Sequence, residues 1–302
     1  MRQLPEDQLK ALLQERLRAL LVSDLHPLNS SDSFSAETLE GLTFAVGQKL
    51  NSCGWMTYLV GGTLRDLLLC PNDHGPIQPR DIDIIVAGAS RNELEEALRN
   101  SLIMERFTRF GGLHLSALLR SGSRVLFDIW TLSDTWGFHA QGIPPRMEDF
   151  PGTTFLNIDS CATELLQPAG RERKVFEHGF FDGIAKRVLD VNYEPNPYPY
   201  VCAARSLVLA AQLDFKIARP LAKFILQHAA IGGVAALIDA QRSHYAAVRS
   251  EVKELEVWLQ QIKRQFDFGE AVVSIEVSPT RRRELWFDYP SSNSPTKNAI
   301  RS

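Results

Sequence analysis

A chain of 302 residues with 44% hydrophobic and 23% charged residues has the make-up of a soluble globular protein, long enough for one large or two ordinary domains. Its net charge of −3 excludes a global basic field that would advertise a nucleic-acid partner, although the balance is uneven: 14 Lys/Arg face 10 Asp/Glu from Val201 onward, against 19 and 26 before it. The four cysteines (Cys53, Cys70, Cys161, Cys202) form no C-x-x-C pair, which argues against a zinc ribbon or disulfide framework and for a reducing cytosol. The first residues are too charged for a signal peptide and no apolar run is long enough to span a bilayer. A cytoplasmic protein without a membrane partner is therefore expected.

In chain order, Leu4, Leu9, Leu12, Leu13, Leu17, Leu20 and Leu21 recur at helical spacing, predicting an amphipathic helix that packs on the body of the protein. Ser23 to Ser35 reads as a loop. A second helix is expected from Ala36 to Asn51, with Ser35 as N-cap and Gly54 as stop. The most informative stretch, Tyr58 to Val86, follows. A short apolar strand turns sharply at Gly61-Gly62 into a helix carrying Arg65 and Asp66, and a second apolar strand carries Asp81 and Asp83.

Asn92 to Arg99 reads as a helix. Leu113–Leu119 and Val125–Thr131 read as two strands joined by a Ser121-Gly122-Ser123 turn. Gly111-Gly112 is read as the entry to this hairpin, the other reading being a flexible loop from which Arg109 reaches phosphate. Asp128 lies within the second strand, where a buried carboxylate is costly unless it is paired or binds a cation. Beyond it the pattern predicts a loop over Gly137–Gly152, a strand over Thr153–Asp159 and a short helix over Cys161–Leu166. Asn192 to Tyr200, rich in proline, cannot be helical and serves as a connector. Helices are then expected over Val201–Leu213, Arg219–Ala230 and Val234–Gln265, with a late strand over Ala271–Val277. A mobile polar tail containing Arg281-Arg282-Arg283 is expected beyond Pro279.

Residues two apart on a strand share a face, so Asp81 and Asp83 project together. Two adjacent carboxylates repel unless a cation lies between them, and hard divalent cations such as Mg²⁺ choose such oxygen ligands while leaving room for substrate phosphates. Gly-Gly, Arg-Asp and Asp-x-Asp are each common on their own; it is their order and spacing that point to a nucleotide and metal site.

LVGGTLRDLLL followed by RDIDII resembles the head domain of the class II nucleotidyltransferases, the superfamily of CCA-adding tRNA nucleotidyltransferases and bacterial poly(A) polymerases. CAARSLVLAAQLDFKI is similar to the neck of that family through Arg205, Ala210, Ala211, Leu213 and Phe215. The resemblance covers roughly residues 40–230 and is strong at 58–86. It implies an α/β (α+β) head with a small mixed sheet, followed by a helical C-terminal domain. The expected division is an N-terminal helix and linker (1–36), the head (37–190), a helical neck-like domain (191–278) and a flexible tail (279–302).

By the same resemblance Asp81, Asp83 and Asp128 are the catalytic carboxylates and would hold two Mg²⁺ ions. Gly61 and Gly62 would let the backbone approach the triphosphate of an NTP substrate, Arg65 would contact phosphate or ribose, and Asp66 would orient Arg65 or the sugar hydroxyls. Arg65 and Asp66 can equally form a salt bridge that shapes the turn. The implied activity is transfer of NMP from an NTP, with ATP a candidate, to a hydroxyl acceptor such as an RNA 3′ end, with release of pyrophosphate. A protein or small-molecule acceptor and a non-catalytic nucleotide- or RNA-binding role are the other readings.

Two departures weaken the tie to the CCA-adding type. The family's Arg-Arg-Asp-Phe-Thr-x-Asn segment survives only as RMEDFPGTTFLN, and its base-reading Glu-Asp-x-x-Arg falls at Tyr198-Pro199-Tyr200-Val201-Cys202, where Pro199 and Cys202 cannot form the same hydrogen bonds.

Overall fold

The structure, a computed structural model, describes residues 4–21, 38–69, 82–108, 111–245 and 247–287. The chain forms two compact units, Met1–Asn196 and Pro197–Ser302.

In the first unit, helix α1 (Glu6–Leu21) buries Leu9, Leu13 and Leu17, spaced one turn apart, and packs on its neighbours α2, α3 and α6. Helix α2 (Leu39–Ser52) starts later than the pattern predicts. Its N-cap is Thr38, whose hydroxyl accepts the Gly41 N–H at 3.0 Å, and Ser35 lies outside the described residues, as does the expected loop before it.

Seven strands form one mixed sheet: β1 (Met56–Val60), β2 (Ile82–Ala87), β3 (Ile103–Phe107), β4 (Leu113–Leu118), β5 (Arg124–Thr131), β6 (Cys161–Glu164) and β7 (Val175–Glu177). Their spatial order is β3-β4-β5-β2-β1-β6-β7, and every neighbouring pair is antiparallel except β2–β5. Helices α3 (Gly62–Leu69), α4 (Arg91–Leu98), α5 (Trp136–Gln141) and α6 (Phe180–Lys186) complete the unit, giving the mixed α/β head expected. Alternation places Ile82, Ile84 and Val86 on one face of β2 and Asp83 and Ile85 on the other. Ile85 joins Tyr58, Val60, Leu132, Phe138, Met147, Phe150 and Ala162 in a buried apolar cluster. Asp83 therefore extends the row of an apolar face.

Several expectations are corrected here. Cys161–Glu164 is a strand, not a helix. It is buried throughout between β1 and β7, and a continuously buried run carries no period to separate the two. Thr153–Asp159 is not a strand but lies across two 3₁₀ turns, Phe150–Thr153 and Asn157–Asp159. Asn157 fixes the second turn, its Oδ1 accepting from Ile158 N and Asp190 N while Nδ2 donates to Val188 O. The loop predicted over Gly137–Gly152 begins as helix α5. Edge strand β3 was not anticipated, because all five of its residues are exposed and its pairing is bulged between Met104 and Arg106.

On β6, Glu164 is buried and held bidentately by Arg171, with both N···O distances 2.6 Å, and it accepts the Lys174 N–H at 2.8 Å. Burial raises its pKa, but the Arg171 and Lys174 hydrogen bonds outweigh that and leave the carboxyl below its ordinary value of 4.5. A lowered carboxyl pKa stabilises the fold fully above the ordinary value and ceases to do so as pH falls through the folded one. Glu164→Gln is expected to lower stability by about 1.5–3 kcal/mol at pH 7, the usual worth of a charge-assisted hydrogen bond. Urea melts of both proteins at pH 7 and below 4 should show that difference shrinking at the lower pH.

The second unit is largely helical: α7 (Pro199–Leu213), α8 (Arg219–Tyr245), α9 (Val252–Asp267) and α10 (Pro279–Phe287), with Lys216–Ala218 and Val272–Val273 paired as short antiparallel strands. The late strand thus shrinks to two residues. The single helix expected over Val234–Gln265 is two, because the chain turns after Tyr245. Gln241 secures that turn: its Oε1 accepts from Arg249 N and Ser250 N, and its Nε2 donates to Ser250 O. By length and apolar composition α8 would pass for a membrane span, contrary to the reading of the sequence. However, Gly233 (φ 66°, ψ 177°) breaks it, and each half falls short of the roughly 20 residues a bilayer requires. The expected mobile tail is helical over Pro279–Phe287, where Arg281 pairs with Glu254 and Glu284, and Arg282 with Asp214. Residues 288–302 lie outside the described part.

Candidate active site

β1 ends at Val60 and the chain reverses at Gly61, whose φ of 67° is strained for any residue with a Cβ. A Cβ there would also stand 3.5 Å from Asp83 Oδ2, so the turn runs directly alongside that carboxylate. The Gly61 N–H donates to Cys161 O at 3.1 Å, which ties the turn to β6 and engages one of the two N–H groups expected to face phosphate. Gly62 opens α3, where the first N–H groups have no intrahelical acceptor. A Cβ on Gly62 would come within 3.1 Å of Arg65 Nη2. The second glycine thus makes room for a guanidinium folded back on the turn.

Arg65 is buried. Its Nε donates to Asp66 Oδ1 at 2.8 Å and its Nη1 to Asp159 Oδ1 at 2.6 Å. The salt bridge read as shaping the turn is thus present, with Asp66 and Asp159 both holding Arg65. Asp159, equally buried, is a partner that reading the sequence missed, because 94 positions separate it from Arg65.

Asp83 and Asp128 lie directly opposite each other on the parallel pair β2–β5, and residues in register project from the same face. On the other side of β5, His114 of β4 is in register with Asp128, and its Nδ1 lies 2.5 Å from Asp128 Oδ1. The row thus runs His114, Asp128, Asp83 across three neighbouring strands. Asp81 and Arg109 lie outside the described residues, and among the described residues no three His, Cys, Asp or Glu side chains gather as a metal-holding group. The donor set nevertheless suits a hard cation: two carboxylates in register on a rigid sheet, with a glycine turn in place of bulk beside one of them.

Trp130, two residues past Asp128, packs on the apolar cluster and donates from Nε1 to Thr135 Oγ1 at 3.0 Å. Trp136 sits beside Tyr193, with ring centroids 5.9 Å apart. Gly111-Gly112 leads directly into β4, with the Thr108 N–H donating to Gly112 O where β3 and β4 meet.

No family model matches the chain, and no curated protein matches it. Solved structures do. A CCA-adding enzyme in complex with CTP is 20% identical and superposes with a TM-score of 0.52 over 86% of this chain and 55% of that one. An apo CCA-adding enzyme (20% identity; 75% and 49% of the two chains; TM-score 0.49) and the Thermotoga maritima CCA-adding enzyme complexed with tRNA (18%; 84% and 62%; 0.45) superpose less well. The chain spans about half the length of the CTP-bound enzyme it matches. The fold, a mixed-sheet head and a helical region, is one it shares with that CTP-bound CCA-adding enzyme. At this identity the likeness establishes the fold and stops there.

Proposed function

We propose that the protein is a Mg²⁺-dependent nucleotidyltransferase that moves NMP from an NTP to the 3′ hydroxyl of an RNA and releases pyrophosphate. The observation that carries the reading is the register of Asp83 with Asp128 beside the Gly61 turn. Aligned like charges on neighbouring strands are unfavourable, and a fold keeps such a pair when a cation and its substrate use it. Asp81, Asp83 and Asp128 are the residues that would hold the metal, which supplies, when bound, charge neutralisation on the triphosphate and activation of the attacking hydroxyl. Asp128 is paired in register on both sides, with Asp83 of β2 and His114 of β4, so it needs little rearrangement to meet substrate. Gly61 keeps the rim of the site free of a side chain, and Gly62 offers its N–H at the start of α3. Arg65, through Asp66 and Asp159, fixes the turn and thereby the entry of the phosphates.

The choice of RNA rests on the shared fold with CCA-adding enzymes and on the surplus of basic residues after Val201. The altered Tyr198–Cys202 segment leaves the nucleotide open. The test is incubation with each α-³²P-labelled NTP, Mg²⁺, and either total RNA or RNase-treated lysate. Label is expected at RNA 3′ ends from at least one NTP and is expected to disappear with EDTA. Label on protein in the RNase-treated sample, and none on RNA, would sink the RNA assignment.

A further inference from the structure

His114 contacts Asp128, and neither the nucleotidyl-transfer chemistry nor the sequence motifs account for it. We propose that His114 is a positioning residue: it donates its Nδ1–H to Asp128 Oδ1, fixes the rotation of the carboxylate, and leaves Oδ2 as the atom presented to the cation. The proposal rests on the reading of Asp83 and Asp128 as metal ligands.

Three observations support it. The two side chains are opposite in register on β4 and β5, so the contact is built into the sheet and needs no mobile loop. The distance of 2.5 Å between Nδ1 and Oδ1 is that of a direct hydrogen bond between ring and carboxyl. Finally, the pair is largely shielded, with the side chains 14% and 25% exposed, so water competes weakly for either partner. A hydrogen bond to a ligating carboxylate orients it, and removing such partners typically weakens metal binding by about 10–100-fold. A mere cross-strand pair would contribute to sheet stability and leave metal affinity unchanged.

The experiment measures Mn²⁺ binding to the full chain without nucleotide, from the electron paramagnetic resonance signal of free Mn²⁺, for the wild type, Asp83→Asn, His114→Ala and His114→Asn. The wild type is expected to bind and Asp83→Asn to lose binding. His114→Ala should bind about 10–100-fold more weakly. His114→Asn, whose side-chain amide nitrogen sits close to the position of Nδ1, should recover most of the affinity. Equal affinity in the wild type and His114→Ala overturns the proposal and leaves the metal site standing, as does an Asn variant as weak as the Ala variant. A wild-type chain that binds no Mn²⁺ overturns the metal role of Asp128 and this proposal together. Should His114→Ala not fold, ¹⁵N-histidine spectra of the wild type decide, with His114 assigned from its loss in His114→Asn. Its ring nitrogens should shift on Mg²⁺ addition, and signals unmoved at saturating Mg²⁺ overturn the proposal.

Discussion

Arg65→Met is expected to destabilise the protein by about 3–5 kcal/mol, because it strips the counter-charge from a buried carboxylate while keeping most of the side-chain volume. The side chains of Arg65 and Asp159 are only 7% and 8% exposed, so neither charge can turn to solvent without opening the unit. Asp66, at 21%, has partial access to water and cannot compensate for Asp159, which it does not neutralise. For a domain of ordinary stability the loss is a large fraction of the total, and it should appear as a lowered urea midpoint with an unchanged slope. Arg65→Met combined with Asp159→Leu should recover a substantial part of it, since replacing a whole buried pair by apolar groups is often near neutral. If Arg65 served only as a phosphate contact, Arg65→Met would leave the melt untouched and the double variant would gain nothing. The ion pair also explains why two glycines are needed: Gly61 for its positive φ and Gly62 for the room the guanidinium occupies.

The parts of this architecture legible in the sequence were those with a local signature. Tyr58–Val60, the Gly61-Gly62 turn and the alternation of Asp83 with isoleucines announce strand, turn and strand within a few residues, and they appear as β1, α3 and β2. Cys161–Glu164 defeats such reading because burial on both faces erases the period, and Ile103–Phe107 because exposure of every residue does the same. Arg65 with Asp159 joins distant segments and leaves no trace in local pattern. His114 is an intermediate case. The Ser121-Gly122-Ser123 turn was legible, and counting back from it along both strands pairs His114 with Asp128, so the contact could have been found from the hairpin register alone. The parallel alignment of Asp83 with Asp128 could not, since parallel strands are set by a crossover and not by a shared turn.

Asp83→Asn is expected to abolish nucleotidyl transfer, by about 10³-fold or more if charge stabilisation at the metal is the main source of rate. The same change should leave the thermal midpoint unaltered or raised. Asp83 faces Asp128 across one strand spacing, and like charges placed directly opposite are destabilising, so neutralising one relieves a repulsion at no cost in volume and offsets the hydrogen bonding that the carboxylate gives up. Loss of function with retained or increased stability is the behaviour expected of a strained functional site. The opposite result, a chain that melts earlier and is inactive in proportion to its unfolded fraction, would make Asp83 a structural carboxylate and remove the main support for metal-dependent transfer. Asp128→Asn should divide differently, because it also weakens the charge-assisted hydrogen bond with His114. It is expected to lose activity as fully as Asp83→Asn while giving a lower midpoint than that variant. Circular-dichroism melts alongside transfer assays on the two single variants therefore separate the loss of charge at the site from the loss of the His114 hydrogen bond.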